Sequence, residues 1–469
     1  MIYRLVRLVD TRTGQAPLLK RLLRYVFPDH WSFLLGEIAL YCFVVLVGTG
    51  IYLTFFFDPS LQQTVYRGEY APLRGQQVSE AYRSVLDISF RYKAGLLIRQ
   101  THHWAADVFL VAITLHVLRV FFTGAFRKPR ELTYFAGVLM LGLALFEGFA
   151  GYSLGDDLLS GMGLAIAYSV VMSIPFVGGN LALLIWHGPF PGTTDFFSRL
   201  YIAHVLLVPV AIGVLLSIHL VTIMLTHHTQ FRGRREREQN VVGVPLWPGY
   251  VFRTLGLALS VAAVLFLLGG LVQINPVWQW GPFHPSDSTN GAQPDWYLGW
   301  LIGALRLMPG WEPHIGHYTL IPNAFWGGAF FPLLVFAFLF AWPSLERRIT
   351  GDHGYHHLLD RPRDAPWRTA VGVGFFTWVG MVFFAGSSDR VFVEVNISYE
   401  GQIHVYQALV FVLPLVAAWL AKRICEELLR AEAHPLRGPG GGPVRRAPGG
   451  GFERVSRTAS RAPGQTGRR

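Results

Sequence analysis

Residues 98–119 read IRQTHHWAADVFLVAITLHVLR and combine an apolar helical run with histidines near both of its ends. His102 and His116 are 14 residues apart, so on a helix they lie about 21 Å apart and close to one face. Apolar runs of about 20 residues cross a membrane, where histidine is rare and is by default a functional candidate. This stretch therefore predicts a membrane helix with two functional imidazoles.

A second pair of histidines, His204 and His219, lies 15 residues apart in another apolar run. One span separates the two runs, so both point in the same direction. His102 and His204 then form an outer pair, and His116 and His219 a cytoplasmic pair. Two imidazoles at each of two depths predict two stacked, non-covalent b-type haems, whose filled axial positions suit electron transfer. The neighbouring His103 remains an alternative to His102.

Two arginines and four glycines accompany the histidines. Arg99 lies three residues before His102 and Arg119 three residues after His116, where each is placed to pair with haem propionates or to extend to the membrane surface. The glycines recur at 14-residue intervals that leave room for flat macrocycles: Gly36, Gly50, Gly137 and Gly151. Glycine is common in membrane helices, so this pattern is weak by itself.

The composition agrees with a membrane protein, since 52% of the 469 residues are hydrophobic and only 15% are charged. The net charge of +11 is concentrated at the ends of the chain. Residues 1–30 carry six Lys/Arg against two acidic residues, and residues 431–469 carry eight against two. This distribution argues against a nucleic-acid surface. The two cysteines, Cys42 and Cys425, are too few for a four-thiolate iron–sulfur cluster.

Eight apolar runs predict an all-α integral membrane protein. The predicted spans are 33–57, 102–122, 133–152, 200–226, 250–274, 323–342, 370–386 and 404–424. The interrupted stretch 160–186 predicts short helices at the membrane surface rather than a ninth span. Basic loops alternate with loops that carry fewer basic residues, so the positive-inside rule places both termini in the cytoplasm.

The arginine-rich segment after the fourth span divides the chain into two halves. A basic N-terminal segment (1–30) precedes a di-haem domain of four spans (31–230), a cytoplasmic linker (231–249) and a C-terminal domain of four spans (250–425). The Gly/Pro/Arg-rich remainder, 426–469, is predicted to be disordered. It is either a solvated extension or a contact with anionic membrane lipid or a partner subunit.

Several motifs resemble those of cytochrome b of the quinol–cytochrome c reductase (cytochrome bc) complexes. The matching segments are IRQTHHW (98–104), LHVLR (115–119), TGAFRKPRE (123–131), GYSL (151–154) and QPDWY (293–297). DDLLSG (156–161) and GALRLMPGWE (303–312) are most similar to the actinobacterial branch. The resemblance covers about residues 30–425. It implies a bacterial cell-membrane enzyme that oxidises menaquinol and donates electrons to a cytochrome c subunit within a respiratory supercomplex.

The resemblance also implies an outer quinol site in the loop 282–320. The family's Pro-Glu-Trp-Tyr motif becomes PDWY at 294–297, so Asp295 is expected to accept a quinol proton as a general base. Tyr297 belongs to the same motif, and Tyr152 would form the opposite wall. An inner quinone site is expected near the cytoplasmic face.

The candidates for the inner site are His227, His228 and Arg253, because a basic group there could protonate a reduced quinone. The family further implies bifurcated oxidation, proton translocation, a Rieske-type iron–sulfur subunit and a dimeric complex. Two other functions remain open: a di-haem membrane anchor of a quinone-linked dehydrogenase, and a haem-free transporter. Asp107, within the second span, has no assigned role.

Overall fold

Helices make up most of the chain in a computed structural model that describes residues 7, 10–12, 14, 16–289, 294–433, 444–446 and 452–454. Eight helices among these residues are long and apolar enough to cross a membrane. These spans 1 to 8 are Trp31–Thr54, Gly95–Thr123, Glu131–Ser153, Asp195–Thr226, Leu246–Leu271, Asn323–Thr350, Pro366–Ala385 and Tyr399–Glu432. The predicted all-α fold with eight spans is confirmed.

Short helices and strand pairs connect the spans. The short helices are Ala16–Leu23, Glu80–Phe90, Leu158–Met172, Gly178–Trp186, Val277–Trp280, Gly299–Leu307 and Ser388–Val395. Antiparallel pairs join Val26–Phe27 to Val244–Pro245, Gln63–Val65 to Gln77–Ser79, His314–Ile315 to Tyr318–Thr319 and Val444–Arg446 to Phe452–Arg454. The helices Leu158–Met172 and Gly178–Trp186 are too short to span a membrane, as the sequence predicts for 160–186.

The last helix runs from Tyr399 to Ala433 and corrects one predicted boundary. Residues 426–433 are helical, whereas the sequence analysis assigns them to a disordered tail. Charged side chains continue this helix beyond its apolar part: Lys422 pairs with Glu426 at 3.2 Å, one helical turn away. Apart from the strand pair, the tail beyond 433 lies outside the described residues.

The spans pack into two groups that meet along spans 2 and 3. Span 1 packs on span 2 and span 3 on span 4, while spans 7 and 8 pack on each other. Span 6 contacts span 3, and an aromatic cluster that includes Phe121, Tyr134 and Trp342 joins spans 2, 3 and 6. Span 5 belongs to the second half of the sequence but packs against spans 1 and 2. The two halves are therefore interlocked.

One end of the bundle gathers the basic loops. There Gln230–Phe231 pairs in parallel with Leu358–Leu359, which links the loop after span 4 to the loop after span 6. Arg130, only 5% exposed, donates hydrogen bonds to the backbone oxygens of His227 and His356, both at 2.7 Å. Buried backbone carbonyls need such donors, so Arg130 fastens three loops together.

A buried ion pair reinforces the same end. Arg368 donates through Nε to Glu346 at 2.9 Å and through Nη1 to Asp360 at 3.0 Å. These three side chains are at most 8% exposed. Charges in such surroundings are stable only when they are paired and hydrogen-bonded.

We expect Arg368→Met to destabilise the protein by about 3–5 kcal/mol, because the substitution leaves the buried Glu346 carboxylate without its cation. The measurement is the melting temperature of the purified complex in detergent. Arg430→Met is the control, since Arg430 pairs with Glu427 at 2.6 Å on an exposed helix surface. Equal melting temperatures for the two variants would contradict a stabilising role for Arg368.

Candidate functional site

Four histidines form two facing pairs within the first four spans. The ring centres of His102 and His204 lie 6.2 Å apart, and those of His116 and His219 lie 6.5 Å apart. At about 2 Å per metal–nitrogen bond, two imidazoles on opposite sides of one metal have ring centres roughly 6 Å apart. The spacing of both pairs therefore fits bis-histidine haem ligation. His103 points elsewhere and contacts Asp295.

A π-helical turn explains why the two histidine spacings differ. Span 4 contains a π turn over Ala203–Leu207, in which the N–H of Val208 donates to the carbonyl of Ala203. An i→i+5 hydrogen bond encloses one residue more than an α-helical turn, and such turns often occur at functional sites. The 15-residue spacing of His204 and His219 thus matches the 14-residue spacing in span 2, which is α-helical from Gly95 to Thr123.

Each of the four predicted glycines faces one histidine ring. A Cβ atom added to a glycine would lie 2.5 to 3.7 Å from the nearest ring carbon. The facing pairs are Gly36 with His116, Gly50 with His102, Gly137 with His219, and Gly151 with His204. An added methyl group would clash with the ring at Gly151 and crowd it at Gly36 and Gly50, whereas at Gly137 it would make an ordinary contact at 3.7 Å. The glycine pattern therefore has a steric cause at three of the four positions.

Two cavities surround the histidine pairs. The outer cavity, about 270 Å³, is lined by His102, His204, Tyr152 and Asp295. The inner cavity, about 770 Å³, is lined by both inner histidines and continues to the basic end of the bundle. Each cavity thus connects a histidine pair to one of the predicted quinone sites.

Buried arginine atoms supply a second test of the haem fit. Arg99 lines the outer cavity and Arg119 the inner one. The Nε of Arg99 and the Nε and Nη2 of Arg119 are buried without a hydrogen-bond partner among the described residues. Unpaired buried cations are unfavourable, and an anionic group such as a haem propionate would complete both sites. The residues present therefore fit the haems that the sequence predicts.

A cluster of polar side chains lies at one side of the outer cavity. Asp295 is within 3.0 Å of His103 Nε2, and the Tyr297 hydroxyl donates to Asp295 at 3.0 Å. Asp107 joins this group, because its carboxylate lies within 4.8 Å of the ligand atoms of His103 and Asp295. Sequence reasoning left Asp107 without a role and considered His103 only as an alternative to His102. The two adjacent histidines were the signal that one of them has another partner.

Tyr297 packs closely against span 3 at Gly148, where no side chain stands in its way. A Cβ atom on Gly148 would lie 2.7 Å from the Tyr297 hydroxyl. Tyr297 is 3% exposed and packs with Leu110 and Ala144. The PDWY segment, which belongs to the second half of the chain, is thereby fixed on the first half.

The DDLLSG motif has a structural role beside the outer cavity. Asp157 caps the helix Leu158–Met172 by accepting from the backbone of Leu159, and it also bonds Ser160. Burial raises the pKa of Asp157 to about 6 and that of the adjacent Asp156 to about 7, although Ser79 donates to Asp156. This motif anchors the N-terminus of the short helix Leu158–Met172.

The predicted inner-site residues line the inner cavity but already have partners. His228 Nδ1 lies 3.1 Å from the Tyr25 hydroxyl, and Arg253 pairs with Asp29 at 2.7 Å. Burial, with nearby Arg130, lowers the pKa of His228 to about 4, so this imidazole is neutral at pH 7.

Sequence reasoning missed two partly buried carboxylates, because isolated acidic residues in apolar runs give no spacing pattern. Glu37 accepts from the Tyr250 hydroxyl at 2.6 Å and from Thr254 at 2.7 Å in the inner cavity. Glu147 lines the outer cavity and contacts His204. An ionisable residue inside a membrane span was the available signal for both.

Comparisons with known proteins bear on the family and the fold. Residues 107–282 match the family model described as "Cytochrome b(N-terminal)/b6/petB". A Streptomyces coelicolor protein named cytochrome bc1 complex cytochrome b subunit is 44% identical over 95% of this chain and 82% of its own length. Its namesake from Mycobacterium leprae is 45% identical over 95% of this chain and 80% of its own length.

A solved structure supports the fold alone, since its sequence identity is 19%. It is a chain described as "Hyperthermophilic respiratory Complex III", with a TM-score of 0.67, and the match covers 89% of this chain and 99% of that one.

We expect Gly151→Ala to remove the outer haem, because the added methyl group would lie 2.5 Å from the His204 ring. The measurement is the b-haem content per purified protein, which should fall from two to one. Gly48→Ala is the matched control, since a Cβ atom there meets nothing within 4 Å. Full haem content in Gly151→Ala would show that His204 is not an axial ligand.

Proposed function

The chain belongs to the family of cytochrome b subunits of the cytochrome bc1 complexes, and from this premise we propose that it oxidises menaquinol at an outer site and reduces quinone at an inner site. It is a multi-pass membrane protein and a subunit of a quinol–cytochrome c oxidoreductase, with an electron-transfer role and b-type haem. The proposal concerns the two quinone sites and how electrons and protons are divided between them.

One observation carries the proposal: each cavity contains a histidine pair together with candidate proton-transfer groups. The outer cavity brings Asp295 next to the His102–His204 pair. The inner cavity brings His228 and Arg253 next to the other pair. A di-haem dehydrogenase anchor, the alternative function, does not require the outer carboxylate.

The haem sites belong to the first half of the chain, the proposed domain 31–230. His102 and His204 would hold the outer haem, and His116 and His219 the inner one, with Arg99 and Arg119 binding the propionates. When bound, the two haems supply one-electron carriers between the outer and inner quinone sites. The second half, 250–425, contributes the loop that carries Asp295 and Tyr297.

At the outer site, Asp295 is the proposed general base. Oxidation of a quinol releases two electrons and two protons. Asp295 accepts a proton from a quinol hydroxyl, while contacts at 3.0 Å from His103 and Tyr297 fix the position of its carboxylate. Tyr152 forms the opposite wall of the cavity.

The two electrons separate after quinol oxidation. One leaves to a Rieske-type iron–sulfur subunit, because this chain has no cluster-binding Cys/His set of its own. The other crosses the membrane to the inner site. This division makes the reaction charge-separating and couples it to proton translocation.

At the inner site, a quinone would accept hydrogen bonds near His228 and Arg253. Arg253 pairs with Asp29 at 2.7 Å and its side chain is 57% exposed, so this ion pair would connect the inner site to water. The inner cavity reaches both residues.

Orientation and partners complete the proposal. The basic loops converge on one end of the bundle through Arg130 and the Gln230–Phe231 strand. The positive-inside rule makes that end cytoplasmic, with both termini on the same side. We propose a bacterial cell-membrane complex that contains a cytochrome c subunit, forms a homodimer and joins a terminal oxidase in a supercomplex.

We expect Asp295→Asn to reduce quinol oxidation about 100-fold or more, as loss of a general base does, and Tyr297→Phe to reduce it less, because the carboxylate remains. Turnover of the purified complex with a menaquinol analogue measures both. Asp287→Asn, an exposed acid in the same loop, is the control. Unchanged turnover in both site variants would remove the outer quinol site from the proposal.

We expect Arg253→Met and His228→Gln to leave quinol-driven reduction of the b haems intact. Each substitution should slow haem reoxidation about tenfold, roughly the effect of the free energy that one hydrogen bond to a charged group contributes. Stopped-flow spectroscopy of the complex separates the two steps. Arg234→Met, in the exposed linker, serves as the reference. Wild-type reoxidation in both variants would refute the inner-site assignment.

A further inference from the structure

The Nδ1 atoms of the four histidines have different partners. His102 Nδ1 lies 2.9 Å from the Thr49 hydroxyl, and His219 Nδ1 lies 2.9 Å from the backbone oxygen of Thr133. His116 Nδ1 is buried without a hydrogen-bond partner in the part of the chain that the structure describes. His204 Nδ1 alone contacts a carboxylate, Glu147 Oε1, at 3.0 Å.

Span 3 offers two equivalent positions, 14 residues apart, at which the surroundings of the outer and inner histidines can be compared. Glu147 lies four residues before Gly151, and Thr133 lies four residues before Gly137. Both offer a backbone oxygen to the facing histidine, at 3.2 Å from His204 and at 2.9 Å from His219.

The side chains at these two equivalent positions behave differently. The Thr133 hydroxyl turns away from its histidine and donates to Thr222 at 2.8 Å. The Glu147 carboxylate turns toward its histidine, and its second oxygen, Oε2, is buried without a partner among the described residues. The outer pair therefore has an acidic acceptor that the inner pair lacks.

Span 1 shows the same asymmetry. Thr49, which contacts His102, directly precedes Gly50, whereas an apolar residue, Leu35, precedes Gly36 at the inner depth. The Thr49 hydroxyl donates to the Val45 backbone at 2.7 Å and is free to accept from the imidazole. Both outer histidines thus have a side-chain acceptor.

A carboxylate that accepts the Nδ1 proton of a metal-bound histidine makes the imidazole a more basic ligand. A more basic ligand and a nearby negative charge favour the ferric over the ferrous state, and hydrogen bonding around a haem is one of the protein's means of setting its potential. We propose that Glu147 is a positioning residue that lowers the reduction potential of the outer haem below that of the inner haem. This inference rests on the proposed function, since it takes His204 as a haem ligand.

The test is a potentiometric redox titration of the complex, followed by b-haem absorption. Glu147→Gln keeps the shape and removes the charge, while Glu147→Thr copies the residue at the equivalent inner position. In both variants the midpoint potential of the lower component should rise and the gap between the components should narrow. The midpoint of the higher component should not move. The outer component is identified as the one that Gly151→Ala removes.

Glu37→Gln is the matched control, because it neutralises a partly buried carboxylate that lies in the inner cavity and bonds Tyr250 and Thr254 rather than a histidine. It should leave the lower midpoint unchanged. An unchanged lower midpoint potential in both Glu147 variants would overturn the inference. The backbone oxygen of residue 147 would then be the acceptor that matters for His204. Equal shifts in the midpoint potentials of both components would also overturn it, since they would indicate an electrostatic effect on both haems rather than one specific to His204.

Loss of the outer haem from both Glu147 variants would likewise contradict the inference, because Glu147 would then be needed for haem binding rather than for its potential. These results are distinct from failure of the proposed function. A wild-type complex without two b-haem components would refute the proposed function itself. If two components are present and neither midpoint potential changes in the Glu147 variants, only the role of this residue is refuted.

Discussion

Facing pairs of imidazoles, held apart inside an apolar bundle, are the constraint that shapes the first four spans. The ring centres lie 6.2 and 6.5 Å apart at two depths, and glycines of spans 1 and 3 leave space beside the rings, most tightly at Gly151. The pairing also requires that the histidines of spans 2 and 4 lie at matching depths. Span 4 has one residue too many between its histidines, and the π turn at Ala203–Leu207 absorbs it.

Buried arginines of two kinds separate the supporting structure from the cofactor sites. Arg368 is bonded to two acidic side chains, so its charge is satisfied within the chain. Arg99 and Arg119 keep buried N–H groups without partners among the described residues and line the two cavities. Because an unpaired buried charge is unfavourable, the first kind stabilises the fold and the second kind is available to an anionic ligand.

The sequence was sufficient wherever a pattern repeats. Long apolar runs predicted all eight spans, and the 14- and 15-residue intervals predicted which histidines face each other. The helix to Ala433 was missed because its last turns are charged, and hydropathy does not report helix beyond the membrane. The contact of His103 with Asp295 was missed because it joins residues 192 positions apart. Glu147 was missed because a single acid has no period, and only the folded span shows which imidazole it meets.

The two halves of the chain are joined at the basic end of the bundle and again at the outer site. Arg130 and the Gln230–Phe231 strand join them at the basic end, and the PDWY segment meets span 2 through the 3.0 Å contact between His103 and Asp295. A rigid body about 30 Å long that pivots by one degree about its pinned end moves its far end by roughly 0.5 Å. Hydrogen bonds weaken quickly beyond their usual length, so the fastening at the basic end also limits how far the distance between His103 and Asp295 can change at the outer site.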